Sequence, residues 1–96
     1  MKQRFVLIVD DATIQDQNTV SAFFRDKPPG FWHYLSDIWL VVTSDGEWSV
    51  GTLRDQIRLL LPEKRVFVFE VDRGSAWAAF GNSKSFEWIS GQWEPD

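Results

Sequence analysis

The chain has 96 residues, of which 44% are hydrophobic and 25% are charged, and its formal net charge is −4. These values are ordinary for a globular protein and exclude a disordered chain, so we expect a single domain over residues 1–96. The sequence has no cysteine, which excludes disulfides and thiol nucleophiles. It also shows no secretory pattern and no apolar run long enough to span a membrane, so we expect a cytoplasmic protein.

The basic residues are scattered, because the ten Lys and Arg residues form pairs but no stripe. Proteins that bind nucleic acid tightly neutralise phosphates with clustered positive charge. The pattern therefore argues against a tightly held nucleic acid. Six Trp and eight Phe residues exceed what a core of this size holds, which places some aromatic rings at the surface or in an interface.

Apolar periodicity and turn residues predict six regular elements. In chain order they are a strand at 5–9, a helix at about 16–26, β-rich runs at 31–35 and 38–43, a helix at about 50–61 and a strand at 65–71. Two short helical turns are predicted in the Trp-rich C-terminal extension, near residues 75–80 and 83–89.

Local patterns support these elements. Phe5–Val9 is an uninterrupted apolar run, typical of a strand that is buried on both faces. The first helix has Asp16 or Asn18 as its candidate N-cap, and the second has Ser49 or Thr52. The polar break between the two β-rich runs predicts a hairpin or a strand with a sharp bulge.

The order β-α-β-β-α-β predicts an α+β, ferredoxin-like sandwich, with a four-stranded antiparallel sheet, two helices on one face and the C-terminal extension beyond. The first and last strands carry apolar residues on both faces, so the face away from the helices must also be covered. Either the extension or a second subunit can cover it. We expect a symmetric sheet-to-sheet homodimer.

Four short stretches of the chain resemble the SinR-like small proteins, which are distant relatives of the second CRISPR-associated protein family, a subunit of the spacer-acquisition complex. These stretches are Ile38–Thr43, Leu53–Ile57, Val66–Phe69 and Ser75–Ala79. The resemblance implies a ferredoxin-like homodimer. In the CRISPR branch the first strand ends in Tyr-Asp, and that Asp is proposed to bind magnesium at the dimer axis for phosphodiester hydrolysis. By position Asp11 matches this Asp, while Asp10 replaces the Tyr.

The acidic pair Asp10 and Asp11 therefore has two interpretations. One carboxylate from each subunit could hold Mg²⁺ at the dimer axis, with Asp11 as ligand and Asp10 assisting, and the metal could activate water. Alternatively, the pair forms a turn that leads out of the strand, which is the commoner role of such pairs. The spacing of residues does not decide between a catalytic pair and a turn.

Other candidate residues have ordinary structural explanations. His33 is the only imidazole in the chain, and a partly buried strand residue is a commoner role for it than a general base. Arg54 and Arg58 share a helix face, which favours a solvated surface over a phosphate site. Five Trp residues could stack nucleic-acid bases or, more commonly, pack in the core or an interface; they are Trp39, Trp48, Trp77, Trp88 and Trp93.

Three functions follow as hypotheses. The first is a homodimeric interaction or nucleic-acid-associated protein. The second is a weak magnesium-dependent nuclease that uses Asp11. The third is a small-molecule-sensing regulatory domain, which rests on fold analogy and requires a pocket at a subunit boundary.

Overall fold

The computed structural model describes residues 2–27, 29–44, 46, 48–72, 77–81 and 83–93. Its elements are β1 (Gln3–Val9), α1 (Ile14–Arg25), β2 (Pro29–Leu35), β3 (Ile38–Thr43), α2 (Val50–Leu60), β4 (Val66–Val71), a 3₁₀ turn (Ser83–Phe86) and a π-helical turn (Ile89–Trp93). The six predicted regular elements are confirmed, with bounds that shift by up to two residues. No helix within the described ranges is long and apolar enough to cross a membrane.

The four strands form one antiparallel sheet in the order β2-β3-β1-β4, as expected for a four-stranded antiparallel sheet. β2 and β3 are joined by a two-residue turn at Ser36 and Asp37. The register between them also shifts between Trp32 and Leu35. The hairpin, one of the two alternatives from the sequence, is therefore confirmed, and its strand pairing is irregular between Trp32 and Leu35.

The helices pack against one face of the sheet and form the larger core. Phe5, Leu7 and Val9 alternate along β1 and are fully buried against this layer. From the helices, Phe24 of α1 and Ile57 of α2 fill the same core. Each such side chain contributes roughly 1.5–3 kcal/mol when it leaves water, which explains why this face is specified by the apolar period of its elements.

The first helix begins earlier than the sequence predicted. Its N-cap is Thr13, whose side chain accepts a hydrogen bond from the Asp16 backbone N–H at 3.0 Å. Asp16 accepts one in return from the Thr13 backbone N–H, so the two residues form a capping box. The prediction of Asp16 or Asn18 as N-cap was therefore wrong. In the second helix Ser49, one of the two candidates, is the N-cap.

Directly paired residues on the other face form three cross-strand rows, each with one residue from β2, β3, β1 and β4 in that order. We call them the first row (Gly30, Val42, Arg4, Val71), the second row (Trp32, Leu40, Val6, Phe69) and the third row (Leu35, Ile38, Ile8, Phe67). Paired residues of an antiparallel sheet point to the same side, so these rows define one surface, the tail-side face.

Residues 77–81 and 83–93, called the tail from here on, cover part of this face. Trp32 and Val42 are buried together with Ile89 and Trp93 of the tail. The guanidinium of Arg4, itself buried, donates to the carbonyl of Trp93. The tail thus covers Val42 of the first row and Trp32 of the second, with Val6 and Leu40 packed beside them, but leaves Phe69 of the second row exposed. The homodimer that we expected on this face stays a prediction.

The tail is only partly helical. The turn predicted near residues 83–89 is present as the 3₁₀ turn at Ser83–Phe86. Of the turn predicted near residues 75–80, residues 77–80 have no regular structure, and residues 75 and 76 lie outside the described residues. Residues 87 and 88 connect the 3₁₀ turn to the π-helical turn, so residues 83–93 are helical throughout.

Candidate functional site

Asp10 lies at the end of β1 with its carboxylate largely in solvent. Arg65 Nε lies 3.4 Å from Asp10 Oδ2, and the Asp10 backbone N–H donates to the Arg65 carbonyl at 3.0 Å. The Arg65 side chain is 91% exposed. Ion pairs this open to water contribute about 0–1 kcal/mol, so Asp10 is held chiefly by its backbone.

Asp11 takes a turn conformation that few residues tolerate. Its φ is +54°, in the left-handed region that Asp, Asn and Gly occupy most readily. Its N–H donates to Asp37 Oδ2 at 3.3 Å, and its carbonyl accepts from Lys64 Nζ at 2.7 Å. The backbone of Asp11 is therefore fully engaged, which accounts for an Asp at this position without a metal.

Asp37 is the carboxylate that holds this turn in place, and sequence reasoning missed it. Besides the Asp11 contact, its Oδ1 accepts from the Ala12 backbone N–H at 2.9 Å. One carboxylate thus satisfies two consecutive N–H groups that have no strand partner. The only signal in the sequence is an Asp in the short polar break between two β-rich runs, where turn residues are expected anyway.

Lys64 connects this turn to the start of α1. Its ammonium lies 3.3 Å from Asp16 Oδ2, and both side chains are mostly shielded from solvent. The hydrogen bond from the Thr13 backbone N–H, followed by the Thr13 side chain and the Lys64 charge, holds the pKa of Asp16 below its usual value. The β1–α1 and α2–β4 connections are thereby fixed to each other.

The magnesium hypothesis requires oxygen ligands that converge. Within the described ranges, no three Asp, Glu or His side chains converge in a way that could hold a metal ion. Two cations, Lys64 and Arg65, also lie at this turn. The nearby carboxylates are already engaged, since Asp10 faces Arg65 and Asp37 accepts from backbone N–H groups, so the described residues of a single chain do not fit a magnesium site. The site at a dimer axis stays a prediction.

His33 lies on β2 against the first helix. Its Nδ1 is 3.0 Å from the carbonyl of Ile38, and its Nε2 is 3.2 Å from Gln17 Oε1. Its ring stacks on Trp39 with a centroid separation of 4.0 Å and an interplanar angle of 2°. Both nitrogens and one ring face are in contact with the protein, which agrees with a partly buried strand residue.

The Trp residues considered as stacking platforms are mostly packed. Trp39 and Trp48 belong to the helix-side core. Trp88 and Trp93 belong to the smaller core that the tail forms with the sheet. Trp77 differs, since 43% of its surface is exposed. Core packing therefore explains four of the five, and Trp77 alone offers an open ring.

A groove separates the tail from the β2–β3 half of the sheet. Its volume is about 420 Å³, and its floor includes Leu35, Ile38 and Leu40. Residues 77–81 of the tail line one side, and Phe86 lines another. This groove was not predicted, because no local pattern in the sequence brings the tail over these strands.

Comparison of the chain with protein-family models, with curated proteins and with solved structures finds no match. The resemblance to the SinR-like proteins therefore stays a prediction from the residues that carry it. The function must be argued from the chain's own surface.

Proposed function

We propose that the chain is a ferredoxin-like interaction module that works as a homodimer. The order β-α-β-β-α-β supports the ferredoxin-like assignment, as does a sheet with the order β2-β3-β1-β4 whose helices share one face. The homodimer is supported by the surface of β4. This proposal is consistent with the SinR-like resemblance but does not depend on it.

The observation that carries the proposal is the exposure of two Phe rings on an edge strand. Phe67 is 62% exposed and Phe69 is 39% exposed, and their rings contact each other at a centroid distance of 5.7 Å. Ile8, the neighbour of Phe67 in the third row, is only half-buried. An exposed apolar patch of this kind marks an interaction surface more often than a solvated face.

The two edge strands of the sheet, β2 and β4, differ in how readily they can pair with another chain. β2 begins at Pro29 and its pairing with β3 is irregular between Trp32 and Leu35, and both features discourage a further strand. β4 has no Pro, Gly or Lys between Val66 and Val71 and pairs with β1 without a register shift. The β4 edge is thus regular, and Glu70 is the only charged residue between Val66 and Val71, which favours strand addition there.

A second copy fits this edge with two-fold symmetry. Residues that face each other across two antiparallel strands have side chains on the same face of the sheet. The two-fold axis must therefore lie between one residue and the same residue of the second copy, so that the residue pairs with itself. An axis through Val68 pairs Phe67 of one copy with Phe69 of the other. Four Phe rings then meet on the tail-side face, a pairing that is favourable between neighbouring strands.

Protein contact is favoured over nucleic acid as the interaction. The arginines that could meet phosphate, Arg54 and Arg58, lie 3.0 and 4.0 Å from the carboxylate of Asp55. Their charge is therefore partly neutralised within the helix. A net charge of −4 further opposes attraction of a polyanion.

The test is the oligomeric state of matched variants in solution. We expect the wild type to sediment as a dimer at about 0.5 mM, the highest concentration tested, and to dissociate on dilution. Phe67→Lys places a charge in the interface and should give a monomer. Leu59→Lys is the control, since Leu59 is 77% exposed on α2, and should leave the dimer intact. A monomeric wild type at the highest concentration, or a dimeric Phe67→Lys protein, would overturn the proposal.

A further inference from the structure

The groove under the tail lies on the tail-side face near the β2 edge of the sheet, whereas β4 forms the other edge. The proposed dimer therefore does not use the groove. Its floor comes from the β2 and β3 ends of the second and third rows, whereas the Phe67–Phe69 patch lies on β4. A volume of about 420 Å³ falls within the range of small-molecule sites, which is roughly 300–1,000 Å³. The size therefore suits a compact organic molecule.

The described residues that line the groove are apolar, aromatic or hydroxyl-bearing, the hydroxyls being those of Tyr34 and Ser85. Among the described residues that line it there is no Asp, Glu, Lys, Arg or His. A charged ligand would lose its hydration there without gaining an ion pair. The groove consequently selects for an uncharged molecule.

Aromatic rings line the groove from both of its sides. On the sheet side, the indole of Trp32 is buried and fixed, because its N–H donates to the carbonyl of Ser85. Phe86 follows at a centroid distance of 6.4 Å from Trp32, and Trp77 lies 6.4 Å beyond Phe86. Tyr34 contacts Trp32 at 5.5 Å on the floor. Rings at these separations are in contact with one another, so they form a continuous aromatic wall against which a further flat ring can stack or lie edge-on.

We propose that this groove binds a small, uncharged, planar aromatic molecule. The buried indole of Trp32 and the ring of Phe86 form the fixed part of the site. The half-exposed Trp77 and the fully exposed Phe80 form its outer wall. Binding covers these two rings, which otherwise remain in contact with water at a cost in free energy.

The experiment is a titration of the ¹⁵N-labelled protein with 2-naphthol, followed through the indole N–H resonances. We expect saturable shifts at Trp32 and Trp77 with a Kd on the order of 0.1 mM, as is usual for a ligand of about eleven non-hydrogen atoms. The resonance of Trp39 should stay in place, since its N–H donates to Ser21 on the helix side. Naphthalene-2-sulfonate, which adds a charge to the same ring system, should bind at least about tenfold more weakly.

Two matched substitutions locate the site. Ala79→Asp places a carboxylate in the groove wall and should raise the Kd for 2-naphthol at least about tenfold. Ala22→Asp makes the same change on the exposed side of α1 and should leave the Kd unchanged. Phe67→Lys should also leave the Kd unchanged, so failure of the dimer proposal and failure of this one are distinguishable.

Four results would overturn the proposal. They are the absence of saturable shifts at Trp32 and Trp77 up to about 1 mM probe, equal affinity for the sulfonate, an unchanged Kd in Ala79→Asp, and a Kd that rises with protein concentration. The last result would assign the groove to a second copy of the chain instead of a small molecule.

Discussion

Asp37 and Ala12 are joined by a hydrogen bond that links two turns at one end of the sheet. The Asp37 carboxylate accepts from the Ala12 N–H at 2.9 Å, and its second oxygen lies 3.3 Å from the Asp11 nitrogen. The turn after β1, on which the magnesium hypothesis rests, is therefore shaped by a residue 26 positions further along the chain.

Substitution of Asp37 should destabilise the fold. Asp37→Ala leaves two backbone N–H groups without their acceptor, so we expect the free energy of unfolding to fall by about 1–2 kcal/mol. Asp37→Asn keeps one acceptor oxygen and should lose less. Urea unfolding of the three proteins measures this order. Equal midpoints for the wild type and Asp37→Ala would contradict it.

Asp11 allows the turn and the metal hypotheses to be separated at one position. Asp11→Asn keeps the left-handed preference and removes the charge, so we expect stability within about 0.5 kcal/mol of the wild type. Asp11→Val should lose about 1 kcal/mol or more, because a β-branched residue is strained at φ +54°. Urea unfolding measures both differences.

The same Asn variant tests the magnesium hypothesis. If Asp11 binds Mg²⁺ at a dimer axis, the wild type should cleave nucleic acid only with Mg²⁺ present, and Asp11→Asn should lose that cleavage while remaining folded. A wild type that shows no magnesium-dependent cleavage, or an active Asp11→Asn protein, would reject the magnesium hypothesis. Asp11 would then have only its role in the turn.

Asp16 makes stability depend on pH in acid. Since its pKa is lowered in the folded state, its ionised form stabilises the protein at pH values above the unfolded value of 3.8. This contribution is lost as the pH falls below 3.8 through the lower folded pKa. The difference in urea midpoint between the wild type and Asp16→Asn should therefore be present at neutral pH and shrink in that acidic window. A constant difference would show that the charge of Asp16 plays no part.

The tail should contribute stability like a second core layer. Ile89 of the tail is 4% exposed where it packs on the sheet, and Ile14 is 77% exposed at the start of α1. Ile89→Ala should cost about 2–4 kcal/mol, and the same substitution at Ile14 less than about 0.5 kcal/mol. Thermal or urea unfolding compares the two. Similar small losses would mean that the tail is docked only weakly.

Local patterns in the sequence were sufficient for most of the fold. The apolar runs of β1 and β3 and the helical repeat of α2 each express the face that the element buries. The cap of α2 was among the two candidates, Ser49 and Thr52, because Ser49 directly precedes the apolar period of the helix. Thr13 was missed because the first turn of α1 is polar and Asp16 is itself a frequent cap residue, so it obscured the true start.

The candidate sites depend on contacts that no local pattern contains. Trp32 meets Ser85 across 53 positions, and Lys64 meets Asp11 across another 53. Such pairs arise only from the register of the sheet and the path of the tail. The sequence could therefore propose Asp11 as a site residue, but it could not reveal Asp37, Lys64 or the groove.

The long contour between β1 and the tail has a consequence for synthesis on the ribosome. Arg4 meets the carbonyl of Trp93 across 89 positions, and loop closure over that length becomes possible only after the intervening residues have emerged. A nascent chain that has emerged as far as β4 can form its sheet and both helices while Trp32 and Val42 remain exposed to solvent. During this interval the incomplete chain exposes an apolar surface on its sheet, and we expect chaperone binding and aggregation to be greatest at this stage.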